Sequence, residues 1–178
     1  GTAKPAKLAA EPYQTSLRSV ESTGDIQTTM AIIGVPSVAE LSDDSPAMDV
    51  ALAILGQGLS SRLNQSVRER QKLVHSVAAG QFNGAYPGLA YLWAELEPGQ
   101  VKPALAAIWA EVERMKREPV SEAELERQRV RIEHDEAAEL MSMEGMAGKL
   151  GYYESMGGDY RLADQAEARM RAVTAADI

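Results

Sequence analysis

The chain contains no cysteine, which removes any disulfide framework and all thiolate chemistry and is compatible with either redox compartment. Histidine is nearly as scarce. His75 and His134 are the only two, they fall on different predicted elements, and neither His-x-x-Glu-His nor His-x-x-x-His occurs, so a zinc site built within this chain is not expected. No apolar run approaches the roughly 18 residues that a membrane span requires, and the N-terminus has no basic-then-apolar signal peptide. Net positive charge is absent too. A formal charge of −8 opposes nucleic acid and anionic membrane surfaces, although a local basic cluster can still meet an acidic partner.

What is present fits a globular domain. The 178 residues suffice for one domain with a proper core, and 45% hydrophobic with 25% charged residues is an ordinary balance. Residues 1–12 (GTAKPAKLAAEP) are rich in Lys, Ala and Pro and read as a linker, leaving 13–178 as a single domain. At the other end Thr174 and Asp177 have capping-box spacing just before Ile178, so the last helix of the domain is expected to be truncated.

Along the chain, residues 17–22 and 28–35 read as two strands of a hairpin turning at Thr23-Gly24-Asp25. Ser45 as cap and Pro46 at the first turn predict a helix to about Leu55, buried on most of its surface. Gly56-Gln57-Gly58 lacks the Lys-Ser/Thr of a phosphate loop and reads as a tight connector. Ser60 or Ser61 then caps an amphipathic helix, with Leu59, Leu63 and Val67 inward and Arg62, Arg68 and Arg70 left free. Strands follow over 74–82 and 89–96, the second apolar on both faces and therefore central.

Helical spacing marks 101–116, with Glu113 and Arg117 paired, and the capping box Ser121/Glu124 opens one long helix to about Met156. Its first half is a solvated face with Arg129–Glu133 and Arg131–Asp135 pairs, and Met141, Met143 and Met146 read as irregular core filling. His134-Asp135-Glu136 is a surface charge run, and a final helix spans 162–171. The order of strands, helices, strands and helices, without strict alternation, indicates the α+β class: an antiparallel sheet with helices on one face.

Candidate chemistry narrows to Arg68 and His75, seven residues apart across a helix-to-strand passage and both carrying hydrogen-bond donors. On these grounds alone a surface arginine and a half-buried histidine are the simpler account of them. The surrounding run Gly-x-Gly-Leu-Ser-Ser-Arg-Leu, then Val-Arg-Glu-Arg-Gln-Lys-Leu-Val-His-Ser-Val, resembles the non-catalytic domain of the pitrilysin/insulinase family of zinc metallopeptidases, which includes the mitochondrial processing peptidase. Arg117-Glu-Pro-Val-Ser-Glu-Ala-Glu-Leu125, Gly158-Asp-Tyr160 and Ala172-Val-Thr-Ala-Ala-Asp-Ile178 resemble later parts of the same pattern, so the likeness covers nearly the whole chain.

The resemblance implies a clamshell enzyme of homologous α+β domains. One domain carries the zinc motif, and a partner domain of the present kind closes over the peptide substrate without binding metal. An Arg/Tyr pair of that partner domain lies over the active site; the arginine matches Arg68, and His75 stands where the tyrosine is expected. Imidazole and phenol differ in reach and in proton chemistry. The implied function is a substrate-enclosing domain, inactive by itself, with Arg68 and His75 as substrate-binding residues and zinc supplied by a catalytic domain of the same polypeptide or a partner subunit. The alternative is a catalytically dead scaffold or assembly module of the same fold. By family analogy the compartment is the bacterial periplasm or cell envelope.

Overall fold

Alternation in Leu89–Leu96 sorts its side chains cleanly, sending Ala90, Leu92, Ala94 and Leu96 into the core. In the computed structural model, which describes Pro12 and residues 14–178, this strand (β3) is the middle of a three-stranded antiparallel sheet. Thr29–Pro36 (β1) lies on one side with Ile32 opposite Trp93, and Ser76–Phe82 (β2) lies on the other with Ala78 opposite Trp93. The expected linker 1–12 lies outside the described residues, apart from Pro12.

Two helices cover one face of this sheet. Ser45–Gly56 (α1) and Val101–Arg117 (α2) place Leu52, Leu55, Ala104 and Ile108 against Val77, Ala79, Leu92 and Ala94. The α1 helix comes unusually close to β2, because a Cβ on Gly56 would lie 2.3 Å from the Ala79 amide nitrogen. Glycine is needed there for approach; at Gly58 it is needed for a φ of +77°. On its far side α1 presents Val50 and Ile54 to Val120, Leu125 and Val173, which explains why so much of its surface is apolar. The remaining helices are Glu122–Leu140 (α3), Met143–Gly157 (α4) and Leu162–Ala172 (α5). The fold is thus α+β, with its helices on one face of an antiparallel sheet.

Several local expectations need correction. No strand forms over 17–22, where Leu17 and Val20 are almost fully exposed; β propensity without a partner strand or a buried face does not make a strand. Asp44, not Ser45, occupies the cap position of α1, and Pro46 falls in its first turn. The single helix predicted over 121–156 is two helices. Ser142 accepts the Gly145 amide and starts α4 afresh, and a Cβ at Gly145 would sit 2.5 Å from the Glu139 carbonyl oxygen, so the elbow depends on that glycine. Met141 and Met143 stand exposed at the elbow and fill no core. Arg129 pairs with Glu122 and Glu126 in place of Glu133, and Arg131 bonds Gln57 in place of Asp135.

Other local readings hold. The Ser121/Glu124 box is formed in both directions, Glu113 lies 3.7 Å from Arg117, and His134 with Asp135 is an exposed surface pair. The Asp177 carboxylate accepts from both the amide and the hydroxyl of Thr174.

Candidate functional site

The segment from Gly58 to Ser76 is tied down at its start by small polar side chains. The Ser61 hydroxyl donates to the Gly58 carbonyl at 2.8 Å, and the Asn64 amide donates to Ser61 Oγ at 3.0 Å and to the Val77 carbonyl at 3.2 Å. Ser61 therefore stabilises the turn through Gly58 and Asn64, and not by accepting an orphan backbone amide as its sequence context predicts. Leu63 and Val67 are fully buried, while Leu59, expected to continue their stripe, is exposed.

From Asn64 to Arg70 the helix widens into a π-helical segment, a form that appears mostly as single-turn insertions and often at functional positions. The Gln71 amide reaches the Ser66 carbonyl, and the Leu73 amide reaches the Val67 carbonyl, both at 3.1 Å. Between them Lys72 adopts φ +54°, the left-handed conformation that closes helices and costs a non-glycine residue about 1–2 kcal/mol. This strained residue turns the chain from the helix into β2 and sets the passage between Arg68 and His75.

Arg68 extends from the π-helical segment with its side chain 36% exposed, and its Nη1 lies 3.6 Å from Glu69 Oε1. His75 precedes β2. Its backbone amide donates to the Glu95 carbonyl at 2.7 Å, and its half-exposed ring places Nε2 3.1 Å from Glu97 Oε1. Among the described residues no hydrogen bond or ion pair joins Arg68 to His75; each faces its own carboxylate.

Arg62 is not a free member of the basic face. Its Nε and Nη2 bond the two oxygens of Glu124 at 2.7 and 3.0 Å, with side chains only 10% and 17% exposed. The paired guanidinium, helped by the Ser121 amide and hydroxyl, holds the Glu124 carboxyl down at about 2 despite its partial burial. The bond to Glu124 raises Arg62 in turn, with Glu111 and Glu118 adding to the effect. This fork pins the start of the π-bearing helix to the first turn of α3.

A second titratable cluster escaped the sequence reading. Around a small cavity of about 60 Å³, Glu40 and Asp49 from the loop before α1 and from α1 itself meet Tyr153 of α4. Burial raises both carboxyls; the Asp49 charge pushes Glu40 further, whereas bonds from Tyr152 and Asn83 to Glu40, and from Gln81 to Asp49, oppose the rise. Burial, with the neighbouring acids, pushes both tyrosines up to about 12. Asp49 accepts from Gln81 at 2.8 Å, so the cluster braces α1, β2 and α4. The adjacent Tyr152-Tyr153 pair was the only visible signal; nothing local in the sequence places it beside Glu40.

Among the described residues no three His, Cys, Asp or Glu side chains gather in a way that could hold a metal ion, and the two histidines lie on separate elements. The described residues therefore offer no set that fits a zinc centre. No helix among the described residues is long and apolar enough to cross a membrane.

Comparison with known proteins identifies the family. The Peptidase M16 inactive domain family matches residues 2–131. An uncharacterized zinc protease of Streptomyces coelicolor is 28% identical over 179 residues, covering 96% of this chain and 39% of that protein. The chain thus spans well under half the length of this curated relative. Among solved structures, the inactive peptidase domain of a candidate zinc protease from Bordetella parapertussis is 26% identical with a TM-score of 0.73, covering 84% of this chain and 80% of that one. A protease from Helicobacter pylori shares the fold at a TM-score of 0.78 and 19% identity, over 85% of this chain and 37% of that one. The chain belongs to the M16 peptidase family, as one of its inactive domains.

Proposed function

We propose that this domain encloses peptide substrate for a zinc metalloendopeptidase, closing over a peptide held at a zinc centre on a separate catalytic domain or subunit. The observation that carries this reading is the placement of Arg68 and His75. They lie on either side of a strained chain reversal at Lys72, with their polar ends reaching solvent and no bond consuming both. Within the domain Arg68 supplies a permanently charged, planar set of donors suited to a peptide carbonyl, and His75 supplies a ring nitrogen suited to a neighbouring backbone group. Such contacts gain strength when closure removes water around them, so the domain alone is expected to show no hydrolysis.

The test is zinc content and peptide hydrolysis by the polypeptide or complex that joins this domain to its zinc-bearing partner. Arg68→Ala and His75→Ala are each expected to lower kcat/KM by about tenfold with melting temperature unchanged. Zinc and cleavage with both substitutions silent would remove these two residues from the site. No zinc and no cleavage in the assembled protein would instead support a scaffold of the same fold.

A further inference from the structure

The histidine of this site faces an acid that leaves the neighbouring strand at the same end of the β2–β3 pair. Glu97 leaves β3 in extended conformation, with φ −71° and ψ 144°. Pro98 follows it directly, and the Glu97 carbonyl accepts the Gln100 amide at 2.9 Å, so strand, proline and turn all fix the Glu97 backbone. His75 is anchored to the same strand end by its amide bond to the Glu95 carbonyl at 2.7 Å. Two fixed backbones thus bring Glu97 Oε1 to 3.1 Å from His75 Nε2. His134 has no comparable support, since among the described residues its carboxylate neighbour at bonding distance is the adjacent Asp135 on an exposed helix surface.

Resting on the reading of His75 as a peptide contact, we propose that Glu97 is a positioning residue that fixes the His75 ring and decides which of its nitrogens meets the peptide. An ionised carboxylate can only accept, so the ring nitrogen facing it carries the proton. In a neutral imidazole this leaves Nδ1 as an acceptor, matched to a peptide N–H. In a doubly protonated ring Nδ1 becomes a donor, matched to a peptide carbonyl. A tyrosine hydroxyl needs no such partner to choose its role. The acid therefore belongs with the histidine, as the part that makes this substitution workable.

The test is a double-mutant cycle on the assembled protease, following kcat/KM on a peptide substrate for Glu97→Ala, His75→Ala and both together, with Glu97→Gln as the conservative variant. Glu97→Ala is expected to cost about twofold to tenfold, the scale of losing one immobilised side chain. It should cost nothing further once His75 is alanine, and Glu97→Gln should retain most activity because its amide oxygen still accepts. A loss that persists in the His75→Ala background, or no loss at all while His75→Ala is impaired, overturns the role of Glu97 and leaves His75 in the site. A silent His75→Ala overturns the underlying reading, and this one with it.

Discussion

Replacing Glu124 with glutamine separates charge from geometry at the Arg62 fork. Glutamine is nearly isosteric with the protonated acid, can still accept from Arg62, and serves at the third position of a capping box as well as glutamate does, so the Ser121 cap survives. What disappears is the ionised partner of a guanidinium that already has Nη1 buried without a bond. Depression of the carboxyl from 4.5 to about 2 corresponds to about 3 kcal/mol of folding stability at pH 7, an upper figure because the pair is partly screened. The folded state holds the acid below its unfolded value, so this contribution is complete above the unfolded value and is lost as pH falls toward 2. At pH 3 about half of it is left. Urea unfolding followed by circular dichroism at pH 7, 5 and 3 should therefore show Glu124→Gln destabilised by about 2–3 kcal/mol at pH 7, with the gap roughly halved at pH 3. A gap that stays constant with pH, or one below about 0.5 kcal/mol at neutrality, would refute the argument that the ionised fork holds the π-bearing helix to α3.

Asp49 carries the opposite sign. Burial holds its folded-state carboxyl above the ordinary value, so its contribution to stability is present below the unfolded value and lost as pH rises through the folded one. Asp49→Asn keeps an oxygen for Gln81 and should raise the urea midpoint at pH 7 but not near pH 3.5. Gly56→Ala should cost about 1–3 kcal/mol, because its methyl would press on the Ala79 backbone of β2. Gly148→Ala in α4, where nothing stands within 4 Å of the new Cβ, should instead gain about 0.5–1 kcal/mol in the same denaturation assay.

The contrast between those two glycines marks what the sequence could and could not reveal. Elements governed by their own periodicity were legible: Leu89–Leu96 as a central strand, Val101–Arg117 from its apolar spacing, and Leu162–Ala172 between its polar flanks. Elements decided by what lies across from them were not. Leu17 and Val20 look like strand residues until no partner strand is found among the described residues, and Leu59 looks like core although it lies three residues before the helix begins at Arg62. The break at Ser142 was written locally, as a serine three residues before a glycine, but the charge pattern of residues 122–139 and the methionines after it masked the signal.

The candidate site shows the same division. The candidacy of Arg68 and His75 rests on the order of residues around them, whereas their geometry depends on two backbone features with no sequence signature. Over the seven residues Asn64–Arg70, a π-helical turn and an α-helical one bury Leu63 and Val67 alike, so the apolar pattern does not distinguish them. A lysine at φ +54° is locally disfavoured, and it is held there by its own amide bond to the Arg68 carbonyl and by the flanking bonds from Gln71 and Leu73. Arg62 makes the point from the other side. It reads as one of three equivalent basic residues, yet its fork to Glu124, 62 positions away, takes it out of the exposed set and commits it to the scaffold. What remains exposed is smaller than the expected basic face: Arg68 beside Glu69, Arg70 bonded to the Gln65 carbonyl, a strained turn at Lys72, and His75 with its ring 3.1 Å from Glu97.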